Sequence, residues 1–146
     1  MDKAIEEFVG CKRIAVVGVS RSERKFGSSA YKELKQRGYD VVPVHPEMTS
    51  FQGDRCYPAL RAIQKPVEGL LVVVPPERVG DVLREATMAG IAKVWLQQGA
   101  ESDDALALAE ALGMSVVSKR CILMYAPPVT GFHSVHRFFV RLFGQS

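Results

Sequence analysis

Short β-rich apolar runs alternate with segments of helical spacing along this chain, and that alternation constrains its fold more than any other feature. "RIAVVGV" begins at Arg13 and is continuous in apolar residues, as a strand buried on both faces must be. "GSSAYKELKQRG" follows from about Gly27, with Ala30, Leu34 and Arg37 at helical spacing and Gly38 as the stop. A second strand, "YDVVPV", ends in the turn-forming "HPE". "CYPAL" supplies a very short strand, after which Pro58 opens a helical turn. "EGLLVVV" is the next strand, and Pro75 and Pro76 close it.

The helix "PERVGDVLREATMAG" then places Val79, Val82, Leu83 and Ala86 on one face and finishes at Gly90. "AKVWLQ" reads as a strand and "SDDALALAEALG" as a helix, with Ser102 as N-cap and two acids in the first turn. "MSVVS" and a strand at "CILM" complete the sheet. Before all of these, "KAIEEFVG" reads as a short amphipathic helix with Ile5, Phe8 and Val9 on one side. The tail "SVHRFFVRLFG" reads as another, at about residues 134–143, with Val135, Phe138, Phe139 and Leu142 as its stripe.

Alternating strands and helices imply an α/β fold with a doubly wound, mostly parallel Rossmann-like sheet flanked by helices. The expected strand order is 3-2-1-4-5, with a sixth strand at the end. Ligands bind such sheets beyond the carboxyl ends of the strands, where the order reverses. Here that point lies between the loop after "RIAVV" and the loop after "LLVVV".

Composition narrows the class of ligand. At 146 residues the chain is read as one domain with one substantial core. The acidic start "MDKAIEEF" carries no signal-peptide core, and "GLLVVVPP" is too short to span a bilayer. Cys11, Cys56 and Cys121 are sparse and form no CxxC pair, which fits a reducing compartment, so the expected location is the cytoplasm. The formal charge of +3 suits a small polyanion, and neither an arginine tract nor a zinc-finger spacing indicates nucleic acid. No membrane partner is expected either.

The loop "GVSRSERKFG" is where phosphate chemistry concentrates. A dinucleotide fingerprint would run G-x-G-x-x-G, but Gly18 is followed by Val19 and Ser20, and Gly27 comes late. The helix starting near Phe26 would still aim unpaired backbone N–H groups at the loop. Ser20 and Ser22 add hydroxyls, while Arg21, Arg24 and Lys25 add positive charge. No GxxxxGK[ST] pattern is present, because Gly27 is followed by serine. After the second strand an NAD site carries Asp or Glu for the ribose hydroxyls, whereas this chain has Val44, His45 and Pro46, with Glu47 beyond. A phosphorylated adenosine ribose is easier to accommodate there than NAD.

Four segments in this order resemble the CoA-binding domain family, in particular its small stand-alone members and the CoA-binding half of the succinyl-CoA synthetase α subunit. They are "VVGVSRSERKFG", "YDVVPVHPE", "CYPAL" and "VVVPPERVGDVLREATMAGI", with "VWLQQGAES" after them. The most specific piece is Val74-Pro75-Pro76 ahead of a helix containing Glu85-Ala86, joined by the Gln97-Gln98-Gly99 turn. The resemblance implies that Gly18, Ser20, Arg21 and Lys25 surround the CoA phosphates, with Gly27 at the helix start. It implies that Val44 and Pro46 border the adenosine pocket and that Val74, Pro75 and Pro76 line its second side. Gln98 and Gly99 would meet the pantetheine. Two positions depart from the synthetase pattern: Arg21 stands where a glycine follows the loop threonine, and Glu47 where a lysine follows the turn proline.

No catalytic set stands out. His45 either contacts the adenosine or serves the turn, and His133 and His136 lack a third ligand for a metal. Lys119 and Arg120 precede Cys121, yet "CILM" reads as buried. The leading function is therefore non-catalytic binding of coenzyme A or an acyl-CoA by a sensor or accessory module. The alternative is an NAD(H)- or ADP-responsive regulator, and a third reading is an enzyme acting on an acyl-CoA. A homodimer or an unknown protein is the expected macromolecular partner.

Overall fold

The computed structural model describes residues 2–22 and 25–128. The expected tail helix, His133 and His136 lie outside the described residues, as does Arg24.

Helix α1 (Lys3–Val9) opens the chain, and the Asp2 carboxylate accepts from the Ala4 N–H to cap it. Strand β1 (Arg13–Val17) follows, then α2 (Phe26–Gln36) and β2 (Asp40–Val44). A small hairpin comes next, from β3 (Ser50–Phe51) and β4 (Asp54–Arg55). Beyond it lie β5 (Gly69–Val72), α3 (Pro76–Met88), β6 (Lys93–Gln97), α4 (Asp103–Ala111) and β7 (Ser115–Arg120).

The main sheet runs β2-β1-β5-β6-β7, all parallel, so the chain steps outward from β1 in one direction and then the other. Helices α1 and α2 cover one face through a core that includes Phe8, Tyr31, Leu34, Leu71 and Trp95. Helices α3 and α4 cover the other, over Leu70, Val72, Val79, Leu83 and Leu96. This is the doubly wound arrangement expected from the alternation, with the order reversing between β1 and β5.

Two short elements differ from expectation. "CYPAL" contributes a single parallel bridge, Val44 to Tyr57, on the outer side of β2, before a 3₁₀ turn at Leu60–Ala62. "CILM" is no strand: Ile122–Met124 forms a 3₁₀ turn against α2. Polar groups pull it out of the sheet. The Gln97 amide oxygen accepts from the Ile122 N–H at 3.0 Å, and Arg37 donates to the carbonyls of Leu123 and Ala126 at 2.9 and 2.7 Å. Just before this turn β7 is irregular: Trp95 pairs with Val117 but Gln97 pairs with Arg120, and Lys119 has φ +61°.

The hairpin was absent from the sequence reading. It is clasped to α2 by Asp54, which accepts from the Tyr31 hydroxyl and from Lys35 Nζ at 2.8 Å. Burial pushes the Asp54 carboxyl up, but the bonds from Lys35 and Tyr31 outweigh it and hold the group below the usual carboxylate range. The Tyr31 and Phe51 rings meet edge to face at 5.0 Å between centroids. Among the described residues, no helix is long and apolar enough to cross a membrane.

Candidate functional site

The carboxyl ends of β1, β2 and β5 meet where the strand order reverses, and the loop from Gly18 to Lys25 rises from the first of them. Two close backbone approaches shape its stem. Gly18 has φ +129°, and a Cβ there would sit 2.1 Å from the Val73 carbonyl oxygen. A Cβ on Gly27 would sit 2.0 Å from the Gly18 carbonyl oxygen. Glycine is required at both positions because main chain, not a movable side chain, occupies the space. Gly18 thus presses on the β5 side of the cleft, and the first turn of α2 presses on Gly18.

Ser28 locks the loop from within. Its side chain is fully buried; its Oγ accepts from the Ser20 N–H at 3.1 Å and donates to the Ser20 carbonyl at 2.8 Å. The Ser20 hydroxyl in turn accepts from the Ser22 N–H at 3.1 Å. Sequence reasoning named Ser20 and Ser22 as ligand donors and passed over Ser28. The signal was present as a serine one residue into the helix after Gly27, a position that can reach back across the loop. Removing the hydroxyl in Ser28→Ala leaves the Ser20 N–H and C=O without their partner. The expected cost is about 2 kcal/mol of unfolding free energy, read in urea. A loss under about 0.5 kcal/mol would show that water replaces the serine.

The start of α2 suits an anion. Helices α1 and α4 close their first turns with side-chain caps, from Asp2 and Ser102. At α2 the N-cap is Lys25, which gives no side-chain cap bond, and no acid stands in the first turn. The N–H groups of Phe26 and Gly27 have no partner among the described residues. Uncapped N–H groups beside exposed Arg21 and Lys25 form a region that attracts phosphate. These residues fit a nucleotide diphosphate: positive charge and unpaired backbone donors stand on one loop.

The remaining expected residues divide by side of the cleft. Val44 is buried in the core with Leu60 and Val72, leaving His45 and Pro46 at the edge. The His45 N–H donates to the Tyr57 carbonyl at 2.9 Å, and the Tyr57 N–H to the Pro43 carbonyl at 3.0 Å. His45 Nδ1 accepts from the N–H groups of Glu47 and Met48, at 3.0 and 3.2 Å. The turn role offered by the sequence is thus present. Val74, just past the end of β5, is half-buried, Pro75 is the N-cap of α3 and Pro76 its first residue, so a rigid exposed corner stands at the carboxyl end of that strand. Glu85, further along α3, accepts from the Leu60 N–H at 3.1 Å and ties the segment after Tyr57 to this helix.

On the far side, Gln98 is exposed and Gly99 has φ +100°, with its N–H donating to Glu101 at 2.9 Å. Gln97 is buried and serves the Ile122 turn, so it is Gln98 that reaches solvent. The Cys11 and Cys56 thiols are buried, and burial pushes both up, which weakens them as nucleophiles. No cluster of metal-ligating side chains occurs among the described residues.

The profile of the CoA binding domain matches residues 12–127. The chain belongs to the CoA-binding domain family. Its similarity extends to small proteins of the same size: the CoA-binding domain here is 28% identical to Uncharacterized protein YneT of Bacillus subtilis over 76% of this chain and 82% of that one. A conserved hypothetical protein from Pyrococcus furiosus shares its fold with a TM-score of 0.74 and 37% identity, over 77% of this chain and 97% of the other. The acetate–CoA ligase (ADP-forming) II of Archaeoglobus fulgidus is 29% identical over 90% of this chain, which spans only 20% of the ligase.

Proposed function

We propose that this protein is a binding module for coenzyme A or an acyl-CoA, held without turnover in the cleft between β2, β1 and β5. The observation that carries the reading is the uncapped start of α2, where the unpartnered Phe26 and Gly27 amides follow a loop that carries the exposed Arg21 and Lys25. Membership of the CoA-binding domain family supports coenzyme A as the nucleotide. The diphosphate would lie against this loop. The adenosine would lie between the His45-Pro46 turn and the Val74-Pro75-Pro76 corner, and the pantetheine would run toward Gln98 and Gly99. Preordered prolines cost little to organise on binding, which favours affinity. In this reading the module works in the cytoplasm, as a sensor or an accessory to an acyl-CoA enzyme.

Calorimetric titration of nucleotide-free protein with CoA, NAD⁺, NADH and ADP tests this reading. Micromolar CoA binding is expected. Arg21→Ala together with Lys25→Ala should weaken it about tenfold to a hundredfold by removing charge-assisted contacts. Absence of CoA binding, or tighter binding of NADH than of CoA, would overturn the proposal.

A further inference from the structure

Dinucleotide-binding sheets place a carboxylate after the second strand, and it accepts hydrogen bonds from the ribose hydroxyls. His45 occupies that place here, immediately after the last residue of β2. Its ring is oriented by the turn it closes. Nδ1 accepts two backbone N–H bonds, from Glu47 and Met48, so in the neutral ring the proton resides on Nε2. Nε2 therefore has no lone pair to offer and is a donor alone.

The direction of that donor follows from the strand. Along β2, Val41 belongs to the core under α1 and α2 and Val44 to the core under α3 and α4. The His45 N–H bond to Tyr57 continues the extended backbone by one residue, so the imidazole returns to the α2 side, the side of the phosphate loop. Nε2 has no partner among the described residues, and no buried side-chain polar atom there is left unpaired, so Nε2 reaches solvent.

A fixed donor where related sites hold a fixed acceptor inverts what the position recognises. A ribose hydroxyl pair is best met by a carboxylate, whereas a ribose phosphate monoester offers only acceptor oxygens and is best met by N–H. We infer that His45 Nε2–H reads a phosphate monoester on the adenosine ribose, making His45 the residue that separates phosphorylated from unphosphorylated adenosine ligands. The inference rests on the proposal that the cleft holds a nucleotide. Coenzyme A carries such a group at the 3′ position and NADP⁺ at the 2′ position; the chemistry at Nε2 is the same. Glu47, the exposed acid of the same turn, faces solvent and spends its backbone N–H on the ring rather than on a ligand.

The test compares CoA with 3′-dephospho-CoA, and NADP⁺ with NAD⁺, by calorimetry on the full chain and on two variants. His45→Asp keeps an acceptor for the two turn N–H groups but offers no donor; His45→Asn keeps the acceptor and a shorter amide donor. The wild type is expected to prefer CoA to dephospho-CoA by about tenfold, the worth of one charge-assisted hydrogen bond. The preference should vanish or reverse in His45→Asp and be partly kept in His45→Asn, with both variants retaining the native far-ultraviolet circular dichroism. Two-bond ¹⁵N–¹H correlations should show His45 protonated on Nε2. Equal binding of CoA and dephospho-CoA together with equal binding of NADP⁺ and NAD⁺ by the wild type would overturn the inference and leave CoA binding standing. Discrimination lost in His45→Asp but seen only for the NADP⁺ pair would uphold the role of His45 and overturn coenzyme A as the ligand. Binding of none of the four would overturn both, and an Nδ1-protonated ring would overturn the inference alone.

Discussion

A single methyl group on Gly27 is expected to disable the proposed phosphate loop and cost the fold about 3 kcal/mol, the upper end of what overpacking a tight site usually costs. The added Cβ would lie 2.0 Å from the Gly18 carbonyl oxygen and 2.6 Å from its carbon, well inside contact distance. Gly18 cannot retreat, because it is itself packed against the Val73 main chain, just past the end of β5. The first turn of α2 must therefore move away from β1, carrying the Phe26 and Gly27 amides with it. Affinity for CoA should fall by about a hundredfold as those two donors lose their aim. Gly90→Ala is the control: that glycine has φ +80° but open space around it, so its alanine meets only the left-handed backbone penalty of about 1–2 kcal/mol. Urea unfolding and CoA titration of both variants separate the cases. If Gly27→Ala binds CoA as tightly as Gly90→Ala does, the close approach at Gly18 is not what positions the helix.

The second large effect lies at Trp95, in the middle of β6 and fully buried. Its ring meets Phe8 of α1 edge-on at 5.4 Å and Tyr125 at 5.9 Å, and its indole N–H donates to the Arg120 carbonyl at 2.9 Å. One side chain thus joins the first helix, the central sheet and the turn after β7. Trp95→Ala should cost about 4 kcal/mol through lost burial and the cavity left behind. For a chain of this size that is a fall in melting temperature on the order of 10 °C. Trp95→Phe keeps most of the ring but leaves the Arg120 carbonyl unpaired, and should cost about 1–3 kcal/mol. Calorimetric melting of the pair decides it: equal losses would mean that the hydrogen bond, not the packing, is what Trp95 supplies.

The sheet and its point of reversal were readable because "RIAVV", "GLLV" and "KVWLQ" are uninterrupted apolar runs, each followed by a helix with an apolar stripe. Long periodic elements carry their own signal. The β3–β4 hairpin carries none, since two-residue strands are too short to show a period, and what fixes it is Asp54 reaching Tyr31 and Lys35 on another element. "CILM" was misread for the opposite reason. Its apolar content looks like a strand, but the Gln97 side chain and Arg37 divert its backbone groups. At the cleft, the residue types of the loop were legible from charge and glycine spacing. The bond of Ser28 back to Ser20 was not, because spacing alone does not say which backbone group lies across the loop, and for His45 the turn role was legible only as one of two alternatives.

The irregularity at the end of β7 has a bearing on how copies of this chain meet one another. A flat outer strand offers its free N–H and C=O groups as a template for further strands. β7 denies that template: the extra residue near Lys119 twists its last stretch, and two exposed cations, Lys119 and Arg120, stand there. The opposite border, β2, is shielded by the Tyr57 bridge and the hairpin beyond it. Among the described residues, neither border of the sheet therefore offers a flat, open strand for another copy to extend.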